Sequence, residues 1–600
     1  LGKINKTSEL MGKEKETNRI PTEEKKQSIP TCSFTVGIQD LNKHYFKVRL
    51  QMETDAEETV LALPAWTPGS YMIRDYSTHL HKFISYNPLT QEEVKSEQID
   101  LNRWKVKNNK QAFVAEYIIY AFEDYSVRTN YLDSEFGFIN PSALFLYPEG
   151  NLQTAVSVRF ETENTFANTF TSLRKEGPHH YLAEDFDELY DSPFHLTNQT
   201  SIRFRSDQCE HELLIEGNVP YSFKEKLASD LQKITSKQIE WMESCPNSYY
   251  LFVLNLSQPA YGGLEHKASS INFFSPDQIH EDEDYKRLLE LLSHEYFHLW
   301  NVKRIRPVAL GPFDYQSPNL TKELWIAEGV TSFYDIHFLY LAGFLTKEEY
   351  LSRIQNDVLS LDDTNAEDWM SLEESSFTAW TKYYKRNGNS HNINVSYYTK
   401  GAALVLCMVI FLLKETNGTK SFRDIMLLLY KRYYLEKQRG FTKQEFFDTA
   451  KEATGVDLKK EFDGLLTTAK RIPIEEYLKW IGLQKIESEW VADLRFKTKD
   501  KNGNLFVQKI SHKDDGIVPD LQLEDEIVAI NGKRMNSSLL QKLEKQLQPK
   551  EKIHVLLSRY GRMKEIILEV AGAYKNRKLG YIEIIPQEVK EIQNQFFKKD

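Results

Sequence analysis

Between about residues 31 and 200 apolar and polar side chains alternate. Phe46, Val48, Leu50 and Met52 are separated by Lys47, Arg49 and Gln51, and Val156, Val158 and Phe160 by Ser157 and Arg159. A period of two puts the apolar set on one face of a strand. Thr67-Pro-Gly-Ser and Asn140-Pro-Ser supply turn signals between such runs. The pattern predicts a β-sandwich or saddle. From about 201 to 480 the texture turns helical. Leu227, Leu231, Ile234 and Met242 fall roughly on one helical face, and residues 249–256 read as an apolar strand. Residues 402–413 form the longest apolar run, too short for the roughly 20 residues of a membrane span, and read as a buried helix. Strand-like runs return at 505–510, 553–557 and 565–570. The expected architecture is multidomain α+β. It comprises a polar leader (1–30), a β-rich domain (31–200), a mainly helical domain (201–484), a β domain (485–575) and a tail (576–600).

The helical part carries the chemistry. His294-Glu295-Tyr296-Phe297-His298 matches the pattern H-E-x-x-H, with neither proline nor glycine from Glu281 to Arg306. Residues four apart share a helical face, so both imidazoles can reach one tetrahedral zinc. Glu295 then points at the position where water sits. A catalytic zinc usually takes a third protein ligand. Glu328 stands in the apolar stretch Leu324-Trp-Ile-Ala-Glu-Gly-Val-Thr-Ser-Phe-Tyr334, where an unpaired carboxylate would be costly. A metal removes that cost, which makes Glu328 the candidate third ligand. The expectation is one Zn2+ per chain.

These motifs resemble the glycyl aminopeptidase family of gluzincin zinc metallopeptidases. H-E-x-x-H-x-W runs into Asn301-Val-Lys-Arg-Ile-Arg-Pro307, and L-W-x-x-E-G-x-T follows. Leu63-Pro-Ala-Trp-Thr-Pro-Gly-Ser-Tyr71, Gly262-Gly-Leu-Glu-His266 and Ser396-Tyr-Tyr-Thr-Lys-Gly401 occur in the family's order. The resemblance covers about residues 31–575. It implies a β-rich N-terminal domain, a thermolysin-like catalytic domain, a C-terminal PDZ domain, and removal of N-terminal glycine or alanine from peptides. Related aminopeptidases hold the substrate's ammonium with the glutamate of a G-x-M-E-N motif; Glu265 matches it, and His266 stands for the asparagine. Gly262 and Gly263 would let a substrate backbone approach closely. In the wider gluzincin group a tyrosine before x-Lys-Gly donates to the oxyanion. Tyr398 fits that frame, with Tyr397 its rival. The segment Tyr125-Ser-Val-Arg-Thr-Asn-Tyr-Leu-Asp133 also resembles a family motif, without a derivable role. In the PDZ-like part, Ala492-Asp-Leu-Arg-Phe496 lacks the glycines of a carboxylate-binding loop, and Glu524 replaces the glycine usual before Asp525.

Composition narrows the partners. A net charge of -11 disfavours nonspecific nucleic-acid binding. Cys32, Cys209, Cys245 and Cys407 are scattered and read as buried thiols rather than a disulfide framework. The leader lacks an apolar core, so no signal peptide is visible; since the chain starts at leucine, an upstream export signal stays open. The compartment is open, with a soluble, cytoplasmic protein favoured. Expected partners are peptides with a free N-terminus, and a further peptide or protein contact through the PDZ-like part. Two alternatives stand: a zinc endopeptidase with the same metal site, and a catalytically silent binding protein of PDZ type.

Overall fold

The computed structural model describes residues 32–122, 126–487, 489–513 and 520–598. The leader expected over residues 1–30 lies outside the described residues, as does Tyr125. The first part of the chain is built on a seven-stranded sheet, ordered Arg174–Gly177, His180–Ala183, Val156–Glu161, Cys32–Asp40, Tyr45–Met52, Phe113–Tyr120, Leu80–Tyr86. Alternation of Phe46, Val48, Leu50 and Met52 inward with Lys47, Arg49 and Gln51 outward gives it one buried face. That face packs over Leu61, Leu63, Trp104, Phe145 and Phe186 from the shorter strands and turns opposite. The result is the β-rich N-terminal domain.

A five-stranded sheet opens the middle part, ordered Ile202–Ser206, Cys209–Glu216, Tyr249–Asn255, Ser269–Phe273, Gly262–Glu265. The glycine pair lies in the edge strand Gly262–Glu265, antiparallel to Ser269–Phe273. Helix Tyr221–Met242 lays Leu227, Leu231, Ile234 and Met242 into the core beneath. The motif helix, Asp282–Phe297, begins with Asp282, Glu283 and Asp284, acids that complement the helix dipole. It buries Leu288, Leu289, Leu292 and Tyr296, and His298 forms its C-cap.

Two further helices fix the geometry. A single π-helical turn, Trp325–Gly329, leads into helix Val330–Leu341, and helix Thr399–Glu415 is buried along most of its length. They cross backbone to backbone at two glycines. A Cβ on Gly329 would lie 2.6 Å from the Gly401 Cα, and one on Gly401 would lie 2.9 Å from the Gly329 Cα. Only hydrogen fits at either position.

The C-terminal part holds the sheet Phe496–Lys501, Asn504–Ile510, Glu526–Ile530, Lys552–Arg559, Arg562–Glu569, with helix Ser537–Glu544 against it. Glu524 takes φ 67° and Arg495 φ 61°, left-handed values that glycine adopts at no steric cost. Glu524 is held there by Lys499 and Lys501. The stretch 576–600 was expected as a tail, and here the structure differs. Strand Lys578–Tyr581 pairs with Leu483–Ile486, and helix Gln587–Phe596 returns to the middle part. Leu579, Ile592, Phe596 and Phe597 enter its core, and the Tyr340 hydroxyl donates to the Phe597 carbonyl at 2.8 Å. The apolar period of that segment was legible but short, and polar residues surround it. No helix among the described residues is long and apolar enough to cross a membrane. All four cysteines are free; Cys245 is half-buried and the other three buried.

The glycine crossing generates a test. Gly329→Ala should destabilise the fold by about 1–3 kcal/mol, the usual cost of overpacking, and shift Glu328 with it. A lowered thermal midpoint with reduced metal retention is expected; an unchanged midpoint would show that the crossing has room.

Candidate metal centre and substrate cleft

The motif helix and the π-helical turn bring three ligand atoms together. His294 Nε2 and His298 Nε2 stand 3.1 Å apart, and Glu328 Oε2 lies 3.5 and 3.3 Å from them. The tautomers follow from the other ring nitrogens. His294 Nδ1 lies 2.7 Å from the Asp335 carboxylate, and His298 Nδ1 lies 2.6 Å from the Asn301 carbonyl. Both partners accept, so each Nδ1 carries its proton, and each ring when neutral turns an Nε2 lone pair inward. Glu328 is 3% exposed, yet its Oε2 makes no hydrogen bond. Two lone pairs and a carboxylate oxygen facing one another, with an orphaned acceptor among them, fit a cation of zinc's ligand preferences.

Asn301 ties the two ligand-bearing segments together. Its side chain donates to the Ile326 and Ala327 carbonyls at 2.8 and 3.1 Å and to Thr331 Oγ1 at 3.1 Å, while its own carbonyl orients His298. The rest of that motif also braces. Arg304 donates to the Leu299 carbonyl and to Asn247 Oδ1, both at 2.6 Å. Lys303 reaches Asp191 at 2.8 Å, and the same carboxylate takes His266 Nδ1 at 3.0 Å and the Lys267 amide at 2.8 Å. Sequence reasoning missed Asp191 and Asp335. Neither lies in a motif, and only the fold brings them to the imidazoles they hold.

Three buried carboxylates share this space. Glu265, Glu295 and His298 offer ligand atoms within 4.8 Å of one another. Burial pushes the Glu295 carboxyl up to about 7, with the nearby His294 and His298 opposing. Burial also pushes Glu328 up, but the facing imidazoles, when protonated, more than reverse this, to about 2. The two acids are therefore split, one poised to take a proton near neutrality and one held ionised. A Cβ on Gly263 would collide with the Glu295 carboxylate, so the edge strand passes directly over it. Gly262 has φ 142° and open space beside it.

From the N-terminal domain, Gly69 comes so close that a Cβ there would lie 2.9 Å from both Glu265 carboxylate oxygens. Its motif neighbours Trp66 and Tyr71 pack on Trp380, with ring centroids 5.0 and 6.0 Å away. Tyr398 lies beside the centre, its ring 6.3 Å from that of His294. The Ser396 hydroxyl accepts from the Tyr398 and Thr399 amides at 3.2 and 3.3 Å. Tyr397 is fully buried, and its hydroxyl has no hydrogen-bond partner. Tyr383 and Tyr384 extend the aromatic wall and belong to no motif read from the sequence.

A β-rich domain over a buried His-His-Glu set beneath an open sheet edge is the arrangement of a metallopeptidase. Residues 287–404 match the model of the M61 glycyl aminopeptidase family, and residues 33–198 that of the peptidase M61 N-terminal domain. Over these two stretches the chain is similar to M61 glycyl aminopeptidases. A solved aminopeptidase N family protein from Idiomarina loihiensis is 25% identical and superposes with a TM-score of 0.86, over 94% of this chain and all of that one. An M1 zinc metallopeptidase from Deinococcus radiodurans is 11% identical with a TM-score of 0.46, covering 74% of this chain and 94% of that one. No curated protein matches.

The Asp335 contact makes a specific prediction. Asp335→Ala should lower metal affinity about 10- to 100-fold, as loss of an outer partner of a ligating histidine does. Competition with a chromophoric chelator measures this. Equal affinities would show that His294 needs no such partner.

Proposed function

We propose that this chain is a zinc aminopeptidase that removes the first residue, glycine or alanine, from peptides. One observation carries the reading: a buried His-His-Glu set and a second buried carboxylate, Glu265, face the same short gap beneath an open sheet edge. His294, His298 and Glu328 would hold one zinc ion per chain. Bound there, zinc would polarise the scissile carbonyl and lower the pKa of water.

The remaining work falls to the chain. Glu295 Oε takes one proton from the attacking water, whose oxygen bonds to the carbonyl carbon. As the C–N bond breaks, Glu295 returns that proton to the leaving amine. The raised carboxyl of Glu295 suits both transfers. The Tyr398 hydroxyl donates to the oxygen that gains charge at the carbonyl carbon. Burial keeps that phenol protonated. Glu265 pairs with the substrate's α-ammonium and sets the register, and Gly262 and Gly263 leave the edge open for the peptide backbone. The glycine or alanine preference rests on the family resemblance. A zinc endopeptidase would share the metal set but leave Glu265 without a task, so the aminopeptidase reading accounts for more of the site. The PDZ-like reading of residues 485–575 stands beside this; among the described residues the edge strand Phe496–Lys501 is paired on one side only, which leaves the other for an added peptide.

Glu295→Gln should keep its metal and lose at least ~10²-fold in kcat, the usual contribution of a general base. An unchanged rate would assign the proton transfer elsewhere.

Capping discriminates the two peptidase readings. An alanyl peptide should be cut, and its N-acetyl form should resist, because the ammonium that Glu265 would hold is gone. Efficient cleavage of the acetylated peptide would overturn the aminopeptidase reading and favour the endopeptidase.

A further inference from the structure

The segment preceding strand Tyr131–Leu132 carries a guanidinium at the cleft that no anion among the described residues balances. Arg128 is pinned through its backbone. Its carbonyl accepts from the Tyr76 hydroxyl and from Asn140 Nδ2, both at 2.8 Å, and its amide donates to Ser126 Oγ at 3.2 Å. The side chain reaches the edge strand, where Nη2 lies 3.4 Å from the Gly263 carbonyl. That is a long contact, and Nε is buried with no hydrogen-bond partner at all. Among the described residues no carboxylate forms an ion pair with Arg128. Holding a partly buried cation in place without a counter-charge is costly. Elsewhere at the domain boundary the chain supplies one: Lys303 has Asp191.

The position gives the cost a purpose. Gly263 stands two residues before Glu265 on the edge strand, which at about 3.3 Å per residue is roughly 6–7 Å along it. The α-ammonium and α-carboxylate of an extended dipeptide are separated by about the same two residues. The Arg128 charge also reaches the buried Tyr384 phenol; burial pushes that group up to about 12 and Arg128 opposes. The guanidinium is thus felt at the aromatic wall as well as at the strand.

Resting on the aminopeptidase reading above, we propose that Arg128 binds the C-terminal carboxylate of very short substrates, so that dipeptides with both ends free are the preferred class. Glu265 takes the ammonium, and the unused Arg128 donors take the carboxylate in a paired, charge-assisted contact. The chain then reads its substrate from both ends, and longer peptides forgo the second contact. Arg128 would be a binding and specificity residue, with no part in proton transfer.

The test compares kcat/KM for Ala-Phe, its C-terminal amide and an alanyl pentapeptide, using wild type, Arg128→Ala and Arg128→Lys. The wild type should prefer the free acid over the amide by about tenfold or more, as a charge-assisted pair implies. Arg128→Ala should erase that preference through the free acid alone, leaving the amide and the pentapeptide within about threefold. Arg128→Lys should restore part of it. Equal turnover of acid and amide by the wild type would overturn the proposal, even if the variants misfold. An equal fall on all three substrates in Arg128→Ala would also overturn it, leaving Arg128 as a brace for the edge strand. Cleavage of N-acetylated peptides with equal efficiency would instead remove the underlying aminopeptidase reading.

Discussion

A carboxylate oxygen and two imidazole nitrogens are forced together where water is scarce, and the rest of the molecule is arranged around that concentration of electron pairs. Glu328 Oε2 is buried and unbonded, with both Nε2 atoms within 3.5 Å. Asp335 and the Asn301 carbonyl occupy the opposite nitrogens, so the rings turn those lone pairs inward when neutral. Such an arrangement is stable only with positive charge at its middle. Metal binding by this trio would be coupled to folding, because His294, His298 and Glu328 come from two segments that the fold must first align.

That alignment comes from close packing rather than from the ligands. The glycine pair Gly329 and Gly401 lets two helices touch backbone to backbone, which sets the depth of Glu328 and the position of Tyr398 together. Asn301 binds the motif helix to the π-helical turn through three donated hydrogen bonds. The N-terminal domain closes the other side, with Gly69 against the Glu265 carboxylate and Asp191 clamping His266 and Lys303. The cleft is therefore a property of two domains. Its acids are neighbours whose environments differ: Glu295 is raised by burial, whereas Glu328 is held down by facing imidazoles.

Much of this was legible in the sequence because it is local. The i, i+4 spacing of His294 and His298 fixes their shared face, and the apolar company of Glu328 marks a carboxylate in need of a partner. Strand alternation around Val48 and the buried character of residues 402–413 could likewise be read from their periods. What escaped was long-range. Asp335 is 41 residues from His294, and Asp191 is 75 from His266, so no spacing rule connects them. Gly329 and Gly401 read as motif letters, and their mutual contact appears only when the helices cross. Residues 576–600 looked like a tail because their apolar positions, among them Leu579, Ile592 and Phe596, find a partner surface only in the folded middle part. Arg128 lay in a segment of unknown role, and that no carboxylate among the described residues pairs with it is visible only in the folded chain.

The central claim is that His294, His298 and Glu328 together form a zinc site on which the activity depends. Elemental analysis of purified wild type beside Glu328→Ala, with activity read on the same samples, tests it most directly. The account predicts one zinc per wild-type chain, little or none in the variant, and peptidase activity that follows zinc content. Full zinc occupancy and undiminished activity in Glu328→Ala would contradict it.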